Sequence, residues 1–412
     1  MSRDPTEGPR LVVSPSRTVV GTGAVEHAGK YAALYGERAL VVATEQIHRI
    51  HGARLEGILE DAGVPCETYT EVRPDPTIAD VEAAYERYRE GDCDVIVTLG
   101  GGSSIDAGKA VGILAGNDGE IREFGVDRAG YEGVPEPIPP LVAVNTTAGT
   151  GSEATRSVVL TDADTDTKFL IVSENVVPTV AIEDPELVTS LPRSHTAFTG
   201  IDALTHAIEA FVSVNAWAIP DDFARNAIRR LDGSLRKAWA NGEDVEARTG
   251  TLIGQLQAGQ AFTNSSVALV HGMARPLGAQ LHLPHGLANA VLLPYVMEFS
   301  AMGAPEKYAE VARLLGAADA HTPDREAARS ASDAVFELCS ELGLYDELES
   351  FGEIPDRETY LGLVERMADD AIESGSPANN PRKPTREEIE ELYVRVYDDA
   401  LAPEAPRRSD DD

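Results

Sequence analysis

Asp94-Val95-Ile96-Val97-Thr98-Leu99-Gly100-Gly101-Gly102-Ser103-Ser104-Ile105-Asp106-Ala107-Gly108-Lys109 is a nearly all-apolar run that meets three consecutive glycines. Asp94 to Leu99 reads as a buried strand, and the glycines lead directly into a helix. Glycines at such a turn let backbone N–H groups approach a phosphate, and a helix N-terminus favours negative charge. The spacing is neither G-x-G-x-x-G nor a Walker A loop, and a tight turn without a ligand is the alternative reading.

Outward from this stretch, strands and helices alternate. Thr18-Val19-Val20, Ala39 to Ala43 and Glu67 to Thr70 read as earlier strands. Helices are expected from Val25 to Tyr35, after the Ala39–Ala43 strand through Gly63, and from Thr77 through Arg89. Leu141 to Val144 and Val180 to Ile182 add strands. That alternation predicts an α/β domain with a doubly wound, mostly parallel sheet. Strand-like runs end near Glu186, and helical periodicity runs from Thr196 to Ala240, from Val245 to Phe262 and on to Tyr397. Pro185 and Pro192 punctuate the change. Two domains are expected: an α/β domain over 1–188 and an all-α domain over 189–412. Residues 1–16 read as an arm or edge strand, and 403–412 as a disordered tail.

A second loop, Asn145-Thr146-Thr147-Ala148-Gly149-Thr150-Gly151-Ser152-Glu153, follows another strand. Open α/β sheets bind ligands beyond the carboxyl ends of their strands, so two polar, Gly-rich loops there fit a dinucleotide.

The chain has 412 residues, with 69 acidic against 35 basic, and a net charge of −34. Only six of the basic residues are Lys. Such a charge repels nucleic acid and anionic membrane. Its spread along the chain suits a solvated surface in high salt, where screening relieves self-repulsion, and implies a halophilic source. No apolar run is long enough to span a bilayer, and the first residues have no apolar signal core. Cys66, Cys93 and Cys339 are isolated, which fits a reducing cytoplasm.

In Gly200-Ile201-Asp202-Ala203-Leu204-Thr205-His206-Ala207-Ile208-Glu209, Asp202 and His206 are four apart and share a helix face. Alone they fit a surface i,i+4 hydrogen bond. His271, in His271-Gly272-Met273-Ala274-Arg275-Pro276, and His285, in His282-Leu283-Pro284-His285-Gly286, complete a carboxylate plus three imidazoles. That set suits Fe²⁺ or Zn²⁺. His282 is a second candidate ligand.

These motifs together resemble the iron-containing (group III) alcohol dehydrogenase family, the relatives of lactaldehyde reductase. The resemblance covers roughly residues 17–400. It rests on Gly100 to Ser103 with Asp106 and Lys109, Thr146 to Thr150 with Glu153, Gly200 to Glu209, and His271 to Ala290; Asn380-Pro381-Arg382 also looks familial. It implies a dehydroquinate synthase-like architecture. It implies an NAD- or NADP-linked interconversion of a small alcohol and its carbonyl, by an enzyme that is a dimer or larger. It implies Asp202, His206, His271 and His285 as metal ligands. It implies Gly101, Gly102, Ser103, Ser104 and Asp106 at the pyrophosphate, and Thr146, Thr147 and Thr150 along the cofactor. Lys168 would meet its ribose, Asp75 its adenosine and Phe262 its nicotinamide.

Two departures stand out. NAD-preferring relatives often carry Asp where this chain has Thr44. A carboxylate would repel a 2′-phosphate and Thr would not, so NADP is expected to be accepted, with Glu45 keeping NAD open. Many relatives carry His where this chain has Arg275, which stays charged and cannot relay a proton. Arg275 could grip a substrate carboxylate, as in a maleylacetate reductase or a hydroxyacid–oxoacid oxidoreductase, or simply pair with a local acid. Dehydroquinate synthase-like and glycerol-1-phosphate dehydrogenase-like enzymes, and a non-catalytic metal-binding scaffold, are the remaining alternatives.

Overall fold

The structure, a computed structural model, describes residues 8–402 apart from 166, 352 and 353; the tail expected over 403–412 lies outside the described residues. The chain divides into two compact units: one runs from Val12 to Ser190, and the other begins at Leu191 and takes in residues 8–11. The Arg10 guanidinium lies 5.5 Å from the Trp217 ring within that second unit.

The first unit is built on a parallel sheet. Its strands are β1 (Arg17–Val20), β2 (Ala39–Ala43), β3 (Cys66–Tyr69), β4 (Val95–Gly100), β5 (Leu141–Asn145) and, after a separate ribbon of β6 (Ser157–Asp162) and β7 (Thr167–Val172), β8 (Val180–Glu183). Their order is β1-β8-β5-β4-β2-β3. Every residue of β2, β4, β5 and β8 is buried, because alternate side chains enter opposite cores. Leu40, Val42, Ile96 and Ala143 face α3 (Ile78–Glu90) and α4 (Gly102–Gly116). Val41, Val97, Val142 and Ile182 face α1 (His27–Tyr35) and α2 (Ala53–Asp61). Thr77 starts α3 with a reciprocal cap: its hydroxyl accepts from Asp80 N at 3.3 Å, and the Asp80 carboxylate accepts from Thr77 N at 2.9 Å.

The β6–β7 ribbon departs from strict alternation. It is antiparallel, and Val158 and Leu160 point inward while Val159 is exposed. Thr161 N donates to Pro76 O at 2.8 Å, which fastens the ribbon to the loop before α3.

The second unit is helical: α5 (Arg193–Val212), α6 (Ala218–Ala240), α7 (Val245–Asn264), α8 (Leu269–Leu281), α9 (His285–Ser300), α10 (Pro305–Leu314), α11 (Asp324–Glu341), α12 (Arg357–Glu373) and α13 (Arg386–Val396). The periodic run from Thr196 to Ala240 is two helices. It breaks after Val212, where Val214 N donates to Asn379 O at 2.9 Å instead of continuing the helical ladder. α5 and α9 are buried along most of their length. Among the described residues no helix is long and apolar enough to cross a membrane.

Candidate functional site

In the helical unit, three helices bring the predicted ligands together. α5 carries Asp202 and His206 one turn apart, both buried. It packs tightly on α6, since a Cβ on Gly200 would fall 2.2 Å from a Leu235 methyl. α8 carries His271 in its first turn. Glu209, from α5, caps that turn by accepting from Ala268 N at 2.9 Å and Val270 N at 2.5 Å. The same carboxylate meets His271 Nδ1 at 2.7 Å, which leaves Nε2 directed at Asp202. α9 begins at His285. A Cβ on Gly286 would sit 2.1 Å from Phe198 O, so only glycine lets α9 start against α5. One turn on, Asn289 donates to Asp202 Oδ1 at 2.7 Å.

Asp202 Oδ1 stands 3.6 Å from His271 Nε2, 3.6 Å from His285 Nε2 and 3.8 Å from His206 Nδ1. These are too long for hydrogen bonds. They suit ligands around one cation, since tetrahedral donors about 2.1 Å from zinc lie about 3.4 Å apart. His206 Nδ1 and His271 Nε2 are buried with no hydrogen-bond partner, which fits nitrogens that would ligate a cation. Asp202, His271 and His285 bring donor atoms within 4.8 Å of one another; His206 falls outside that group, although its Nδ1 is 3.8 Å from Asp202 Oδ1.

The electrostatics are of the same kind. Burial raises the Asp202 pKa, but the facing histidines outweigh it and hold the carboxyl below its usual range. Burial pushes His206 down to about 3, against the pull of Asp202 and with the help of His271, His285 and Arg275. For His271 burial is outweighed by the facing Asp202 and Glu209 carboxylates, which raise it. The Phe262 ring stacks on His206 with centroids 4.4 Å apart, and His206 stacks on His271 at 4.3 Å. Arg275 is half-buried one turn beyond His271. His282 is exposed at the C-terminal cap of α8 with φ 54°, and is not among those donors.

In the α/β unit, Thr44, Gly101 and Thr146 follow β2, β4 and β5, three adjacent strands. A Cβ on Gly101 would fall 2.6 Å from Thr147, and one on Gly102 3.0 Å from Thr150, so the two loops interlock through the missing side chains. Gly100 has φ 150°, and Thr146 N donates to its carbonyl at 3.1 Å. Ser104 Oγ and Thr146 Oγ1 are buried without partners at this turn. Glycine cradle, helix N-terminus and spare hydroxyls fit a pyrophosphate.

The other predicted cofactor residues are tied into the fold. Ser103 donates to Pro74 O. Lys168 Nζ meets Asp75 Oδ1 at 2.6 Å, so the residues expected at the ribose and the adenosine pair with each other. Thr44 caps the short helix Glu45–Ile47, accepting from Ile47 N at 3.4 Å, and Glu45 pairs with Arg49 at 2.7 Å. Asp106 accepts from Val159 N at 2.9 Å; burial raises its pKa against the charge of Lys109. Sequence reasoning assigned no role to Glu209 or Asn289. Their signal was position only: Glu209 lies one turn past His206, and Asn289 one turn past His285.

Residues 15–185 match the family described as iron-containing alcohol dehydrogenase, and residues 196–397 match the C-terminal part of the Fe-containing alcohol dehydrogenase family. The chain is similar to 1,3-propanediol dehydrogenase of Klebsiella pneumoniae, 37% identical over 387 residues, covering 93% of this chain and 97% of that protein. It is similar to lactaldehyde reductase of Escherichia coli (strain K12), 37% identical over 347 residues, covering 84% and 88%. A crystal structure of 1,3-propanediol oxidoreductase superposes with a TM-score of 0.89 at 36% identity, covering 94% of this chain and all of that one.

Proposed function

Since the chain belongs to the iron-containing alcohol dehydrogenase family and is a metal-dependent, NAD(P)-linked oxidoreductase of alcohols and aldehydes, we propose that Asp202, His206, His271 and His285 hold its metal ion. The observation that carries this is the set of imidazole nitrogens converging on Asp202 Oδ1 at 3.6 to 3.8 Å, two of them buried and unbonded.

When bound, a divalent iron or zinc ion supplies Lewis acidity toward the substrate oxygen, and the nicotinamide carries the hydride. The chain's own residues prepare for both. Glu209 fixes the His271 ring so that Nε2 is the free donor, and Asn289 steadies the Asp202 carboxylate. Phe262 stacks on one face of the His206 ring. Gly101, Gly102, Ser103, Ser104 and Asp106 serve the pyrophosphate, Thr146, Thr147 and Thr150 line the cofactor, and Asp75 and Lys168 serve the adenosine and ribose. Thr44 brings no carboxylate to the ribose 2′ position, so NADP is accepted beside NAD.

The substrate is a small alcohol or its aldehyde, of the size that the named relatives turn over. A second reading, a hydroxy or oxo acid held by Arg275, is favoured by one observation: Arg275 sits half-buried on α8, one turn beyond His271. The enzyme works in the cytoplasm as a homodimer or larger assembly, and its acidic surface is an adaptation to high salt. Propanal, lactaldehyde and short oxo acids, tried with NADH and NADPH in molar salt after loading with Fe²⁺ or Zn²⁺, test the reading. Reduction of an aldehyde only in metal-loaded protein is expected; equal rates in metal-stripped protein would refute it.

A further inference from the structure

We propose that Lys109 is a positioning residue for dinucleotide binding, acting through the loop that faces the glycine turn; this rests on the dinucleotide reading above. Lys109 is wholly buried on α4, the helix whose N-terminus forms that turn. Its ammonium donates to Thr155 O at 2.9 Å, to Ser157 O at 2.9 Å and to Thr155 Oγ1 at 3.3 Å. Asp106, one turn earlier on the same face, accepts from Val159 N at 2.9 Å. The two side chains therefore grip residues 155, 157 and 159, every second residue of one extended segment.

That segment is the downstream anchor of the loop from Thr146 to Ala154. Its upstream anchor is Asn145, at the end of β5, whose amide donates to Glu183 Oε2 at 3.0 Å. Between the anchors, Thr147 and Thr150 press on the backbone of Gly101 and Gly102. The width of the glycine cradle is thus set by where the loop is pinned, and Lys109 pins it. The short contacts are to main-chain carbonyls; Asp106 Oδ1 stands farther off, at 3.9 Å, and adds charge attraction. A buried ammonium is the side chain that can satisfy two such carbonyls and a hydroxyl together.

The test is calorimetric titration of Lys109→Met with NAD and with Zn²⁺, below its melting temperature. Methionine keeps the volume and removes the donors. The expected result is an NAD Kd raised about tenfold or more, with Zn²⁺ affinity unchanged. If the variant does not fold, Thr155→Val, which removes one acceptor, should give a smaller loss in the same direction. An unchanged NAD Kd, or equal losses of NAD and Zn²⁺ affinity, overturns the proposal. Wild-type protein that binds neither NAD nor NADP would instead overturn the dinucleotide reading itself.

Discussion

Glu209 Oε2 lies 2.7 Å from His271 Nδ1, while its two oxygens also cap the first turn of the helix that carries His271. One carboxylate therefore sets both where α8 begins and which ring nitrogen is free. Glu209→Gln keeps the shape and weakens both contacts. It should reduce metal affinity about 10- to 100-fold, measured by competition with a chelator. Glu209→Ala should in addition lower stability by about 1–3 kcal/mol, seen in urea melts, because buried N–H groups lose their acceptor. Unaltered metal affinity in both would remove Glu209 from the site.

Asp202→Ala and His271→Ala should abolish metal binding and activity while the circular dichroism spectrum persists. His285 is 43% exposed in its side chain, so His285→Ala should cost metal affinity with little loss of stability. Full turnover by metal-stripped Asp202→Ala would defeat the ligand assignment.

Arg275→Ala separates the two substrate readings. If the guanidinium holds a carboxylate, kcat/KM for oxo acids should fall by about 100-fold and that for simple aldehydes by much less. Equal losses would return Arg275 to a structural role.

Lys109 makes stability depend on alkaline pH. Burial lowers its pKa from 10.5 to about 8, against the pull of Asp106 and Glu153. Between those values the unfolded chain holds a proton that the folded chain has released, so this contribution to stability rises with pH. The penalty is fully present below about 8 and relieved by 10.5. The full difference is about 3 kcal/mol. Wild-type stability should gain on that of Lys109→Met across this window in paired urea melts; parallel curves would contradict it.

The α/β sheet is legible in the sequence because β2, β4 and β5 are apolar on both faces, with glycines or prolines near their ends. The β6–β7 ribbon is harder to read. Ser157, Thr161 and Thr167 dilute its apolar signal, and its value lies in fastening to Pro76, far away in sequence. In the helical unit two of the three helices that carry the predicted ligands show in the sequence, α5 by its i,i+4 pair and α9 by Pro284-His285-Gly286. The break after Val212 is not, since its cause is the carbonyl of Asn379. Glu209 and Asn289 are equally silent, because each acts on a partner 62 or 87 residues distant. Lys168 and Asp75 are each identified by resemblance, but their pairing is a fact of three dimensions.

The contact between Phe198 O and the backbone of Gly286 has a consequence for how this centre can drift over time. A ligand can be exchanged for another donor of similar length and leave the helices where they are. A methyl group at position 286 cannot be accommodated so locally, because the atom in its way is a main-chain carbonyl of α5. Gly286→Ala should therefore impair metal loading more than His285→Ala does, although it removes no donor, and titration of the two apoproteins with Zn²⁺ would rank them. The junction of α5 and α9 thus depends on a side chain that is absent as much as on those that are present.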